Sequence, residues 1–76
     1  MSTDGDPQTF GERLRAARDE AGLTQEETAR RVGVTLRAYA AWELGRNEPR
    51  GASLIRLGEV LEIDPRELYP TAVEAA

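Results

Sequence analysis

The arginines of this chain are concentrated in one segment, and their chemistry is specific. Residues 30–56 carry six arginines against two glutamates, a balance of +4, although the whole chain of 76 residues has a formal net charge of −4. A guanidinium group can make paired hydrogen bonds to a phosphate or to the edge of a guanine base. Because the distribution of charge matters more than its total, this segment predicts a local surface for an anionic partner. Its arginines are Arg30, Arg31, Arg37, Arg46, Arg50 and Arg56.

The residues that other chemistries need are missing from this sequence. It contains no cysteine and no histidine, which excludes disulfides, thiol nucleophiles, imidazole bases and the usual zinc ligands. No carboxylate pair or phosphate-cradling glycine loop indicates catalysis, so we expect neither an enzyme nor a cofactor or metal. The first residues, MSTDGDPQ, do not resemble a signal peptide, and no apolar run approaches membrane-spanning length. We therefore expect a cytoplasmic protein.

The elements that must position the arginines are two short helices joined by a tight glycine turn, in residues 24–49. Counting from Gln25 as the first position, Ala29 falls at the fifth and Gly33 at the ninth. A small fifth residue lets the second helix cross closely, and a turn glycine accepts backbone angles that other residues resist. This spacing predicts a helix-turn-helix, which holds its second helix outward, where it can enter a DNA major groove. The apolar residues expected to lock the pair are Val32, Val34, Tyr39 and Trp42.

Capping signals and apolar periodicity place five helices along the chain and no strand. The first runs from Pro7 or Phe10 to Ala21. A capping box of Thr9 and Glu12 would begin the helix at Phe10. The others are expected at about residues 25–32, 35–44, 52–61 and 65–69. The inward residues of the fourth helix are expected to be Leu54, Ile55, Leu57, Val60 and Leu61.

The chain is long enough for one domain at most. We expect this domain at residues 7–70, with the helix-turn-helix unit at about 24–44, a disordered tail at 1–6 and a second tail at 71–76. Gly58 inside the fourth helix costs about 1 kcal/mol relative to alanine, which indicates a close helix crossing at that point.

Over residues 9–70 the sequence resembles the Cro and lambda-repressor type of helix-turn-helix domain, the XRE type. The motifs that carry the resemblance are L-T-Q-E-E-x-A at 23–29, V-G-V-T at 32–35, W-E-L-G-R at 42–46 and D-P-R-E-L at 64–68. The resemblance implies an all-α, compact five-helix fold. It also implies a small DNA-binding regulator of the kind common in bacteria and phages, most often a repressor.

The same resemblance assigns roles to individual residues. Thr24 and Gln25 match positions that grip a phosphate, and a helix N-terminus favours an anion in any case, because its first amides are unpaired. Arg46, Asn47 and Arg50 match a loop that clamps the DNA backbone. The residues that match the groove-facing side of the recognition helix are Thr35, Leu36, Arg37, Ala40, Ala41 and Leu44.

Several residues have a structural explanation beside the functional one. Arg37 can bind guanine, or it can be a solvated charge or a phosphate ligand. Tyr39 and Trp42 could stack on bases, but their helical period favours a place in the core. By the resemblance, Arg18 and Glu43 form a partly buried ion pair between the first and third helices, and we expect this pair to be structural.

Two functions stay open at this level. The recognition helix is rich in alanine, and Leu36, Ala40 and Leu44 share one face that could read methyl groups or dock against another protein. The first function is a nucleoid-associated, sequence-specific regulator that binds operator half-sites in double-stranded DNA. It would be a weak homodimer or dimerise on the operator, with the contact between copies made by the fifth helix and the loop before it. The second is a protein-interaction module, either an antitoxin or an adaptor. Neither involves a membrane.

Overall fold

The computed structural model describes residues 9–69, which form four α-helices and one short 3-10 helix. No strand occurs in this part of the chain, and none of its helices has the length and apolar character needed to span a membrane. The predicted tails at 1–6 and 71–76, the earlier helix start at Pro7 and the stop at Pro70 lie outside the described residues. The elements are α1 (Phe10–Ala21), α2 (Gln25–Val32), α3 (Leu36–Leu44), α4 (Gly51–Leu61) and the 3-10 helix η1 (Pro65–Leu68).

A threonine side chain caps the start of each of the first three helices. The hydroxyl oxygen of Thr9 accepts the amide of Glu12 at 3.1 Å, and the Glu12 carboxylate accepts the amide of Thr9 at 3.1 Å. Thr24 and Glu27 repeat this capping box with distances of 3.0 and 2.9 Å. Each cap satisfies amides that the helix leaves unpaired and contributes about 1 kcal/mol. The predicted helix starts at Phe10 and Gln25 are therefore confirmed.

The turn between α2 and α3 is built on Gly33. Its backbone has φ 95° and ψ 28°, in the left-handed region that favours glycine. The amides of Gly33 and Val34 both donate to the carbonyl oxygen of Ala29, at 2.8 and 3.0 Å. The chain can thus leave α2 and enter α3 within three residues, which confirms the predicted helix-turn-helix.

The core is shared by all five elements: α1 packs against α3, α4 and η1, and α2 packs against α3 and α4. The rings of Tyr39 and Trp42 pack edge to face with centroids 5.7 Å apart, and the ring of Phe10 lies 4.9 Å from that of Tyr69. Tyr39 and Trp42 are buried, as their helical period predicts. The buried apolar residues are Phe10, Leu14, Ala29, Val32, Tyr39, Trp42, Leu57, Leu61 and Leu68.

Two glycines allow close approaches between elements. A Cβ atom on Gly58 would lie 2.7 Å from Cγ of Pro65 and 2.9 Å from the carbonyl oxygen of Ile63, so the predicted close approach is made by the start of η1. A Cβ atom on Gly11 would collide with the backbone carbonyl of Glu43. Helix α1 therefore rests directly on the backbone of α3, a contact that no local pattern in the sequence predicts.

In the second half of the domain, the inward position of Ile55 is predicted wrongly, and the fifth helix is confirmed in its position but not in its type. Ile55 is 61% exposed, because it lies about 200° around α4 from the fully buried Leu57. The fifth helix is a single 3-10 turn, in which the amide of Glu67 donates to the carbonyl of Asp64 at 2.8 Å. Four residues provide no length for the i to i+4 bonds of an α-helix, and Pro65 has no amide hydrogen to donate.

Candidate nucleic-acid interface

The solvent side of α3 carries the residues predicted to face a groove. Leu36 is 42% exposed, Leu44 is 66% exposed and Arg37 is also exposed. Ala40 and Ala41 lie between them and are partly exposed. The opposite side of this helix is buried in the core, so the helix is anchored by one face and presents the other.

Thr35 combines a structural role with an available donor. It precedes α3, is exposed, and its hydroxyl oxygen accepts the amide of Ala38 at 3.0 Å. The hydroxyl hydrogen takes no part in that bond and can be donated to an acceptor. The predicted site residues of α3 therefore share one surface, with Thr35 at its start.

The orientation of α3 is held by a hydrogen-bonded network centred on Glu43. Its carboxylate accepts hydrogen bonds from Nε of Arg18 at 2.6 Å, from the Tyr39 hydroxyl at 2.6 Å and from Nε2 of Gln25 at 2.9 Å. Nη2 of Arg18 adds a fourth bond at 3.3 Å, while its Nη1 donates to the carbonyl of Leu23 at 2.9 Å. One carboxylate thus ties together α1, α3 and the start of α2.

The network keeps Glu43 ionised although its side chain is only 5% exposed. Burial raises the pKa of Glu43, but the hydrogen bonds from Arg18, Tyr39 and Gln25 together outweigh it, so the pKa lies below its ordinary value. Burial, helped by the hydrogen bond to Glu43, raises the pKa of Tyr39, which keeps its hydroxyl a donor. The hydrogen bond to Glu43 also raises the pKa of Arg18. Arg18 and Glu43 are therefore both charged, and their polar atoms are hydrogen-bonded.

The residues assigned to phosphate contacts lie at the start of α2 and in the loop after α3. Thr24 is exposed and Gln25 is half-buried, with its side-chain amide directed to Glu43. The amide of Glu27 is taken by the Thr24 cap, whereas the amides of Gln25 and Glu26 have no partner within the helix and remain donors. In the loop, the three side chains are exposed, and none makes a hydrogen bond or ion pair with another residue of the 9–69 segment. They are Arg46, Asn47 and Arg50.

Comparison with known proteins identifies the family of this domain. Residues 14–68 match the family model described as helix-turn-helix, which covers the network and the exposed face of α3. The chain belongs to the helix-turn-helix family. It is 39% identical over 54 residues to YqaE of Bacillus subtilis (strain 168), named as an uncharacterized HTH-type transcriptional regulator. That alignment covers 71% of this chain and 47% of YqaE, so the chain spans about half the length of the curated relatives it matches.

Solved structures of the helix-turn-helix family resemble this fold closely. The P22 c2 repressor protein, solved in complex with a synthetic operator, superposes with a TM-score of 0.77 and 35% identity, covering 82% of this chain and 94% of the repressor chain. The restriction-modification controller protein C.AhdI from Aeromonas hydrophila superposes with a TM-score of 0.75 and 34% identity, covering 86% and 98% of the two chains. The all-α fold and the family predicted from the sequence are confirmed.

Within this helix-turn-helix domain, one edge of α3 lies beside carboxylates, an arrangement that was not predicted from the sequence. A groove of 970 Å³ runs along the surface where α1 meets the helix-turn-helix unit, and Leu36, Ala40 and Leu44 line one side of it. The acidic and basic residues that share the groove include Glu12, Arg15, Asp19 and Glu26. Arg15 follows Glu12 by three positions and Asp19 follows Arg15 by four, a spacing that puts the three residues on one face of α1. That spacing is the signal that could have located the groove from the sequence.

Arg37 is absent from the residues that line this groove. It lies about 100° around α3 from Leu36, on the edge of the outer face directed away from α1. The outer face of α3 thus has two edges with different surroundings. The apolar edge borders the charged groove, whereas the edge with Arg37 and Ala41 is open to solvent.

Proposed function

We propose that this chain binds double-stranded DNA as a transcriptional regulator and acts as a repressor, with α3 in the major groove. The observation that carries the proposal is the exposed outer face of α3 on a helix whose position is held by the Glu43 network. The relatives support the regulatory role, since YqaE is named as a transcriptional regulator and the P22 c2 repressor was solved on an operator.

The charge distribution supports the same proposal. Residues 30–56, with a balance of +4, include the outer face of α3 and the loop that follows it. Arg46 and Arg50 are exposed and can neutralise phosphates, while the first amides of α2 offer an anion site of a second kind. Each neutralised phosphate steepens the salt dependence of binding by about 0.9 in the slope of log K against log salt. Affinity should therefore fall steeply as salt rises.

The test compares two arginines on the operator obtained by selection from random duplex DNA. Arg37→Ala should weaken preference at one base pair by about 1–3 kcal/mol, because paired bonds to guanine are lost. Arg46→Ala should weaken binding to all sequences alike and lower the salt slope by about 1, because a phosphate contact is lost. Competition titrations against single-base variants at several salt concentrations measure both effects.

Arg56→Ala is the matched control, since Arg56 is an exposed arginine of the same basic segment that lies on α4 and has no assigned DNA contact. It should leave the base preference unchanged. Equal losses for Arg37→Ala and Arg46→Ala on every sequence would remove the base-reading role of Arg37.

We further propose that the domain pairs weakly with a second copy through the face that joins α4 and η1. Ile55 is exposed there, beside Ile63 and Pro65 on a shallow surface. The acidic residues around it are Glu59, Glu62, Asp64 and Glu67. Like charges would meet across a two-fold axis, so this dimer should be weak at low salt and strengthen as salt screens the repulsion.

Sedimentation equilibrium from low to high salt measures this association. DNA binding has the opposite salt dependence, so the two effects can be separated in one buffer series. A dimer that dissociates as salt rises would place the contact elsewhere.

The groove beside α3 favours a second candidate function, a protein-interaction module. Leu36, Ala40 and Leu44 form an apolar wall opposite the acidic residues of α1, which suits a basic amphipathic segment of a partner protein. A gel-shift titration at low salt separates the two candidates. A regulator should bind its selected operator more tightly than heparin or random duplex, whereas an interaction module should bind all polyanions equally weakly.

A further inference from the structure

The outer face of α3 has very few groups that can form hydrogen bonds with a base. Arg37 carries its only exposed nitrogen donors, and it makes no hydrogen bond or ion pair with another residue of the described segment 9–69. Thr35 adds one hydroxyl at the start of the face. The other residues of α3 with polar side-chain atoms are turned inward, since Tyr39 and Trp42 are buried and Glu43 is fully engaged in its hydrogen bonds. The rest of the face is alkyl, and its residues are Leu36, Ala40, Ala41 and Leu44.

Alkyl groups can recognise only one feature of unmodified DNA in the major groove. Base edges there present hydrogen-bond donors and acceptors, and the single apolar group is the C5-methyl of thymine. Cytosine gains the same group at the same position when it is methylated at C5. A face made of leucine and alanine therefore distinguishes pyrimidines by the presence of this methyl.

The alkyl residues that can act together with Arg37 are those that lie close to it on the surface of α3. Leu36 is its neighbour in the chain, and Ala40 and Ala41 lie one turn further on, where i+3 and i+4 residues are surface neighbours. Leu44 lies about 10 Å along the helix axis from Arg37. The short alanine side chains let base edges approach the helix, so Leu36 is the large alkyl group beside the guanidinium.

On the wall of the major groove, C5 of a pyrimidine lies next to O6 and N7 of the guanine that follows it on the same strand. A guanidinium bonded to that guanine covers the C5 substituent, and Leu36 and Ala40 can surround it. Building on the proposed DNA-binding function, we propose that this domain recognises a guanine preceded by a 5-methylpyrimidine, with Arg37 on the guanine and Leu36 on the methyl. Thymine and 5-methylcytosine both carry the required group.

The test begins with the site selected from random duplex DNA, which should contain a thymine-guanine step. Replacing that thymine by deoxyuridine removes the methyl and keeps every hydrogen-bonding group, and should weaken binding about fourfold. Unmethylated cytosine paired with guanine at the same place should also bind weakly. Methylation of that cytosine at C5 should raise the affinity by a similar factor. Thymine and 5-methylcytosine are thus tested separately as sources of the methyl group.

A double-mutant cycle assigns the effect to one side chain. Leu36→Ala removes an exposed side chain and should fold normally. In this variant, the ratio of the affinities for the thymine and deoxyuridine sites should fall toward one. Leu36→Met, which keeps a long alkyl side chain, should preserve most of the difference. A thymine-to-deoxyuridine change several base pairs outside the step should have no effect in any variant.

The outcomes separate this inference from the proposed function. A selected site that lacks a thymine-guanine step, or equal affinity for thymine and deoxyuridine, overturns the methyl recognition while DNA binding stands. A thymine preference that persists unchanged in Leu36→Ala also overturns it. Failure to enrich any sequence, with equal binding to all polyanions, overturns the DNA-binding function itself.

Discussion

Removal of the Glu43 side chain should destabilise the whole domain. The carboxylate accepts four hydrogen bonds from three residues, and only 5% of its side chain and 12% of that of Arg18 are exposed. Glu43→Ala leaves the Arg18 guanidinium without its anion and the Tyr39 hydroxyl without its acceptor. Breaking a buried ion pair on one side typically costs about 3–5 kcal/mol.

That loss is large compared with the total stability of a small domain. At roughly 0.05–0.15 kcal/mol per residue, a chain of this length has a free energy of unfolding of about 4–11 kcal/mol. A loss of 1 kcal/mol lowers Tm by about 4–8 °C at this size, so Glu43→Ala should lower Tm by at least about 12 °C. Thermal and urea unfolding followed by circular dichroism measure the change.

Glu20→Ala is the control for this experiment, because Glu20 is also a helical glutamate but is exposed on α1. Its effect should stay within about 0.5 kcal/mol. If Glu43→Ala unfolds at the same temperature as Glu20→Ala, the network does not stabilise the fold and the reasoning is refuted.

The pH dependence of stability tests the same network independently. The pKa of Glu43 lies below its ordinary value of 4.5, so its contribution is fully present above that pH and is lost as pH falls through the lowered pKa. Glu43→Gln keeps the size of the side chain without its titration. The stability difference between wild type and Glu43→Gln should therefore narrow below about pH 4.5, in urea unfolding measured from pH 7 to pH 3. A constant difference across that range would contradict the lowered pKa.

Two further changes test the packing. Gly11→Ala should destabilise the domain by about 1–3 kcal/mol in urea unfolding, because the added Cβ collides with the backbone carbonyl of Glu43; an unchanged midpoint would show that α1 shifts freely. Ile55→Ala should change stability by less than about 0.5 kcal/mol while Leu57→Ala costs about 2–5 kcal/mol, and similar losses for the two would return Ile55 to the core.

Local signals in the sequence were enough to predict the helix starts and the central turn. A capping box acts within three residues, as Thr9 with Glu12 and Thr24 with Glu27 show, and the left-handed turn at Gly33 is a property of that residue alone. The spacing from Gln25 to Gly33 then predicted the helix-turn-helix. The buried face of α4 and the helix type of η1 were harder to predict. The segment of η1 is too short for its apolar periodicity to indicate its type.

The Glu43 network shows what depended on tertiary structure. The pairing of Arg18 with Glu43 was implied only by resemblance to a family, because 25 residues separate them and no local pattern relates their side chains. The bonds from Gln25 and Tyr39 to the same carboxylate were not predicted at all.

The sequence by itself determined that two short helices meet at a glycine turn inside an arginine-rich segment, since these properties depend on neighbours within a few residues. Tertiary structure decided which groups surround α3. It brought Glu12 and Asp19 of α1 to the apolar edge of that helix and left Arg37 on the open edge. The physical reason is that the crossing of α1 over α3, made possible by Gly11, sets distances between residues that are remote in the chain.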